Sequence, residues 1–146
     1  VTDRPEHTYI AGASMGGYGA LVHAMKDTEQ YRAVGAFSPA TVWAKDLEEK
    51  VGHKFPEPMD LYQIIRDDVD AGKKLPDIFF CVGNNDFLIE SVDRFEEYLN
   101  ELKIDHRFDR VDGYEHEWRF WELELPEFLD WLPRTDSYAK MGKHKM

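Results

Sequence analysis

The sequence predicts an α/β domain with a parallel sheet of about four strands and flanking helices. Short apolar runs alternate four times with amphipathic helical segments, which is the pattern of a parallel sheet with crossover helices. The run Ile78–Val82 is continuously apolar, as in a strand buried on both faces. A length of 146 residues suits a single domain.

Each element follows from the spacing of its apolar residues. Strands are expected at Thr8–Gly12, Ala33–Phe37, Ile78–Val82 and Asp105–Val111. Helices are expected at Gly16–Lys26, Met59–Val69, Glu90–Lys103 and Trp118–Leu132, the last one kinked or restarted at Pro126. In the fourth strand polar residues alternate with apolar ones, which predicts that the face carrying Asp105, Arg107 and Asp109 is exposed.

Composition and charge exclude several classes of function. The net charge of −11 argues against nucleic acid or an anionic membrane surface as a partner, because phosphates repel such a field. No run of about 18 apolar residues is present, so no membrane span is expected. The single cysteine, Cys81, cannot form an intramolecular disulfide and favours a cytoplasmic location. Residues 1–133 are the expected domain, and residues 134–146 form a polar basic tail that we expect to be disordered.

A serine flanked by glycines, Gly12-Ala13-Ser14-Met15-Gly16, stands between the first predicted strand and the first predicted helix. In that context Gly-x-Ser-x-Gly makes a sharp turn that exposes the hydroxyl, and the glycines leave space where strand and helix cross. The helix then directs its N-terminal amides toward the serine oxygen. Ser14 is therefore a candidate nucleophile.

A serine nucleophile needs a base, and His116 is the best placed of the six histidines. It follows the fourth strand and a glycine turn, and open parallel sheets form their sites at the carboxyl ends of strands. Asp86 follows the third strand and could orient the imidazole. Asp112 is the rival acid, although it lies on the same connection as His116. The order Ser14, Asp86, His116 is that of the α/β-hydrolase triad.

Three segments resemble the esterase D-like branch of the α/β-hydrolases, which includes bacterial tributyrin and feruloyl esterases and, more distantly, S-formylglutathione hydrolases. They are IAGASMGGYGA, CVGNNDFL and GYEHEWRFWELELPEFLDWLP. The resemblance implies that Ser14 is the nucleophile, Asp86 the triad acid and His116 the base. It also implies that the N–H of Met15 is one oxyanion donor, and it implies no metal or cofactor.

Members of that family are much longer and carry the serine near mid-chain, whereas here it is residue 14. By analogy, the chain corresponds to the C-terminal half of an α/β-hydrolase fold, without the loop that supplies the second oxyanion donor. The first strand would then lie at an open edge of the sheet. We expect that edge to be covered by the missing N-terminal half or by another copy in a homo-oligomer.

The function that this resemblance implies is hydrolysis of short-chain acyl or aryl (feruloyl-type) esters, small molecules, through an acyl-enzyme. One alternative is an inactive α/β-hydrolase fragment that acts as a binding module, and another is a thioesterase of the S-formylglutathione hydrolase type. Aromatic side chains are candidates for a substrate pocket, although each could equally belong to the core. They are Trp43, Tyr18 and Trp118, together with Phe55 and Tyr62 of the segment between the second and third strands, and the apolar Met59 of that segment is a further candidate.

Overall fold

The computed structural model describes residues 3–41, 52 and 60–135, and in them strands and helices alternate as the sequence predicts. The strands are β1 Tyr9–Ala13, β2 Ala33–Phe37, β3 Asp77–Gly83 and β4 His106–Val111. The helices are α1 Met15–Lys26, α2 Leu61–Asp70, α3 Ile89–Glu101 and α4 Trp118–Trp131, and a short 3-10 turn covers Pro5–His7. The bounds differ from the predicted ones by at most two residues, and those of β2 are identical.

The predicted tail lies almost wholly outside the described residues, so its disorder stays a prediction. In the part of the chain that the structure describes, no helix is long and apolar enough to span a bilayer.

The sheet is parallel throughout, with the order β1-β2-β3-β4. β2 is buried along its whole length and β3 along nearly all of it, which confirms the prediction for the apolar run in β3. β1 pairs only with β2 among the described residues, and none of its residues is fully buried. β1 is therefore an edge strand, and the carboxyl ends of all four strands lie at the same end of the sheet.

Two cores cover the two faces of the sheet. On one face, α1, α2 and α3 bury a large cluster that includes Leu21, Met25, Ile65, Phe80 and Phe95. On the other face, α4 covers a smaller aromatic cluster of Phe37, Phe79, Phe120 and Phe128. Pro126 neither ends nor restarts α4, because the helix runs without a break from Trp118 to Trp131.

The predicted exposure of one face of β4 holds for Asp105, which is exposed just before the strand, but it is wrong for Arg107 and Asp109. Arg107 and Asp109 pair in register with Phe79 and Cys81, so they point to the face that α4 covers. Both are half-buried there, and the Arg107 guanidinium lies 5.2 Å from the centroid of the Phe79 ring. Arg107 and Asp109 of β4 therefore contact α4 and do not form an open surface.

Glu124 of α4 is buried in that contact, with 3% of its surface exposed. Its Oε2 has no hydrogen-bond partner among the described residues. Burial, and after it the hydrogen bond and charge of Asp109, raise the pKa of Glu124 to about 8 against the opposing charge of Arg107. The carboxyl group is therefore mostly protonated at pH 7, and it shares a hydrogen bond with Asp109.

We predict that this carboxyl group makes the fold less stable as pH rises. Because the pKa of Glu124 is higher in the folded chain than in the unfolded chain, its stabilisation is complete below about pH 4.5 and is lost as pH rises toward 8. Glu124→Gln keeps a neutral side chain at all pH values. Its free energy of unfolding in urea should exceed that of the wild type by about 1–3 kcal/mol at pH 8 and by much less at pH 5.5.

Glu127→Gln is the matched control, because Glu127 lies on the same helix and pairs with Arg107 at an exposed position. This variant should keep most of the pH dependence of the wild type, because the charge of Glu127 is the smallest of the contributions that raise the pKa of Glu124. Equal pH slopes for the wild type and Glu124→Gln would contradict the assignment.

Candidate active site

Ser14 lies at the turn between β1 and α1, with φ 57° and ψ −121°. A positive φ is uncommon for a serine and has to be enforced by the surroundings. The end of β2 enforces it, since the N–H of Ser14 donates to the carbonyl of Phe37 at 2.9 Å and the N–H of Ala40 donates to the carbonyl of Ser14 at 3.2 Å. These two hydrogen bonds hold the backbone of Ser14. Its side chain makes no capping hydrogen bond to α1, so the hydroxyl group can face the site.

Gly12 is required at this turn, because a Cβ there would overlap the backbone carbonyl of Gly16. Gly17 is also tightly packed, with Pro39 atoms 3.2 Å from the place of its Cβ. At position 16 a Cβ would have no described neighbour within 4 Å, so the interpretation that Gly16 leaves space for the crossing is wrong. The backbone of Gly16 itself fills the space that Gly12 leaves open.

Alanine substitutions at Gly12 and Gly16 should have opposite effects on stability. Gly12→Ala should lower the melting temperature and the reactivity of Ser14, because strand and helix must move apart and displace the serine. Gly16→Ala, in the first turn of α1, should raise stability slightly, since glycine within a helix is about 0.5–1 kcal/mol less favourable than alanine. Thermal unfolding measures both variants, and equal effects would refute the crossing geometry.

The structure brings Ser14, His116 and Asp86 together from the carboxyl ends of β1, β4 and β3. The Nε2 atom of His116 lies 2.8 Å from Ser14 Oγ, and its Nδ1 atom lies 2.8 Å from Asp86 Oδ2. A carboxylate can only accept, so Nδ1 carries the proton and Nε2 is free to accept the hydroxyl proton of Ser14. The arrangement can therefore generate a serine nucleophile.

The loop after β3 orients the carboxylate of Asp86. The Oδ1 atom of Asp86 accepts the N–H of Leu88 at 2.8 Å, and the Asp86 side chain is wholly buried. The loop after β4 is tied to this loop, since the N–H of Asn85 donates to the carbonyl of Tyr114 at 2.9 Å. The rival acid Asp112 is exposed on its turn, and Asp86 is the one that contacts His116.

Met15 is the first residue of α1, directly after Ser14. The N–H at that position has no acceptor within the helix, and the positive end of the helix dipole lies there. An oxygen that becomes negative beside Ser14 would meet that N–H. The geometry thus suits chemistry in which a carbonyl oxygen gains charge.

The residues predicted to line a substrate pocket do not lie around one cavity. Trp118 is 74% exposed and, with Trp121, Phe37 and Leu125, lines a groove of about 270 Å³ beside β1. Tyr18 is buried in the main core and does not line this groove, and Tyr62 is buried in the same core. Three further candidates, Trp43, Phe55 and Met59, lie outside the described residues.

Two aromatic neighbours of the imidazole were not predicted from the sequence. The ring centroid of Phe87 lies 5.0 Å from that of His116, and the centroid of Trp121 lies 5.3 Å from it. Phe87 directly follows Asp86, which is a signal that sequence reasoning could have used. Trp121 is found only once α4 is placed against the sheet.

A family model described as "Putative esterase" matches residues 1–132 of the chain. The chain belongs to this esterase family. An acetyl esterase from Caldicellulosiruptor saccharolyticus is 25% identical to it over 94% of the chain and 58% of the relative.

Solved α/β-hydrolase structures share the fold. An S-formylglutathione hydrolase from Staphylococcus aureus matches with a TM-score of 0.76 and 22% identity, over 90% of this chain and 53% of that one. A thermophilic esterase from Thermogutta terrifontis matches with a TM-score of 0.61 and 21% identity, over 86% and 56%. The predicted partial α/β-hydrolase fold is confirmed, and the chain spans little more than half the length of these relatives.

Proposed function

We propose that the chain carries the catalytic centre of a serine esterase that cleaves short-chain acyl or aryl esters through an acyl-enzyme. The observation that carries this proposal is the hydrogen-bonded series Asp86, His116, Ser14, with 2.8 Å at each contact. Membership of the esterase family supports ester bonds as the target.

In the proposed reaction, His116 Nε2 takes the proton of Ser14 while Oγ attacks the ester carbonyl. The Nδ1–H bond to Asp86 stabilises the imidazolium that forms, and the N–H of Met15 donates to the oxyanion. His116 then gives its proton to the alcohol oxygen as the bond to carbon breaks. In the second half, His116 deprotonates a water that attacks the acyl group and releases Ser14.

Met15 is the one oxyanion donor that we assign within the described residues. Loss of one such donor typically lowers the rate by about 10²–10³-fold. We therefore propose that this chain alone hydrolyses esters slowly, and that a second donor comes from a further part of a longer polypeptide.

The apolar groove beside β1 supports an acyl or aryl group as the part of the substrate that is recognised. One relative is an acetyl esterase and one structural neighbour is a ferulic acid esterase, and we propose esters of those two classes as first substrates. Thioester hydrolysis, the activity of the S-formylglutathione hydrolase neighbours, would use the same three residues. A cytoplasmic location stays a prediction from the cysteine count.

Chromogenic acetate and feruloyl esters test the proposal. Ser14→Ala should remove the acyl-enzyme route and leave only the small residual rate that substrate binding and the oxyanion donor supply. Asp86→Asn should lower kcat by about 10⁴-fold because the imidazole takes the wrong tautomer. Thr8→Ala is the matched control, since its hydroxyl group bonds to the Arg4 carbonyl near the amino end of β1. A wild type no faster than Ser14→Ala would instead support an inactive binding module, and a formyl thioester in the same assay tests the thioesterase alternative.

We further propose that the β1 edge is covered in the working protein by the rest of a longer polypeptide, or by a second copy where that is absent. Ala11 is exposed on β1, and the half-exposed Leu125 of α4 borders the same groove. Unpaired edges of this kind associate readily.

Light scattering after size exclusion should therefore find this chain as a dimer or larger. Ala11→Lys, which places a charge on the edge, should shift it toward monomer. A stable wild-type monomer at high concentration would contradict the proposal.

A further inference from the structure

Trp121 of α4 connects the catalytic histidine to the end of β2. Its indole N–H donates to the Oγ of Ser38 at 2.9 Å. Its ring meets the His116 ring edge to face, with an interplanar angle of 90°. The proposed reaction uses neither Trp121 nor Ser38.

Ser38 is held in an unusual conformation. It is completely buried, has φ 48°, and donates its backbone N–H to the carbonyl of Cys81 at 2.8 Å. It directly follows Phe37, the residue whose carbonyl holds the backbone of Ser14. A serine with positive φ at such a place is a strained residue beside a reactive group, and strain of this kind concentrates at functional sites.

We propose that Ser38 and Trp121 are positioning residues for His116, a role that rests on the proposed function. The hydrogen bond fixes the indole, and the indole keeps the imidazole in the plane that joins Asp86 to Ser14. Trp121 is half-buried and hydrogen-bonded, whereas the other aromatic neighbour, Phe87, is 78% exposed.

The need for this support is greatest in the acyl-enzyme. Once Ser14 carries the acyl group, its hydroxyl proton is gone and His116 keeps only its bond to Asp86. The imidazole must still direct Nε2 toward the attacking water. A ring packed against it limits the rotation that one hydrogen bond leaves open, so loss of Trp121 support should slow deacylation most.

Ser38→Gly and Trp121→Phe test the roles of these two residues with little change in packing. Ser38→Gly removes the hydroxyl group and relieves the positive φ, so the fold should keep its stability while catalysis falls. Trp121→Phe keeps an aromatic ring but removes the donor. Each should lower kcat by about 10-fold, because a small misplacement of a catalytic group is costly. In Ser38→Gly, which leaves the groove lining unchanged, KM should fall together with kcat, because slower deacylation lowers both constants.

The double variant should be no slower than the slower single variant, since both remove one hydrogen bond. Trp131→Phe is the matched control, because Trp131 lies on the same helix and packs on Phe79 and Phe128 instead of His116. Its kcat should stay unchanged. Losses that multiply in the double variant would overturn the proposal.

A second readout does not need turnover. The His116 Nδ1 proton, hydrogen-bonded to Asp86, should give a far-downfield proton NMR resonance in the wild type. Ser38→Gly should broaden or shift it, and Trp131→Phe should not.

An unchanged His116 resonance in Ser38→Gly would overturn the positioning role even in an active enzyme. If the resonance changes in Ser38→Gly but the wild-type chain shows no Ser14-dependent hydrolysis, the positioning role is supported and only the proposed function is rejected.

Discussion

The backbone hydrogen bonds between Ser14 and the end of β2 are the constraint on which the rest of the site depends. They hold the serine at a positive φ, and this conformation points its hydroxyl toward the loops after β3 and β4. Those loops are in turn tied together through Asn85 and Tyr114, so Asp86 and His116 meet the hydroxyl as one unit. Parallel pairing makes this possible, because it brings the carboxyl ends of distant segments to one end of the sheet.

Much of the fold and the three central site residues could be predicted from the sequence for physical reasons. The first three strands are short apolar runs, β4 alternates polar with apolar residues, and turn-forming residues follow each strand; these signals are local. Ser14 directly follows β1, and Asp86 and His116 lie in the loops that follow β3 and β4, so the strand assignment alone placed the three residues at one end of the sheet. The space that Gly12 leaves was also predictable, although its occupant, the backbone of Gly16, was not.

The features that sequence reasoning missed depend on how α4 packs across the sheet. The Trp121 and Ser38 side chains meet across 83 positions of sequence, and Ser38 carries no local pattern that marks a positive φ. Likewise, the alternation in β4 predicted an exposed face, since nothing in those residues shows that Glu124 will cover Asp109. Contacts of this kind follow from the placement of an entire helix, which no short segment encodes.

The half-buried state of β1 has a consequence for reactivity. Edge strands open locally at lower free energy than central strands, and Ser14 is the residue that directly follows this one. Under the proposed function, each opening of β1 would withdraw Ser14 from the imidazole of His116. A partner that pairs with β1 would then raise the fraction of time in which the two residues stay within hydrogen-bond distance.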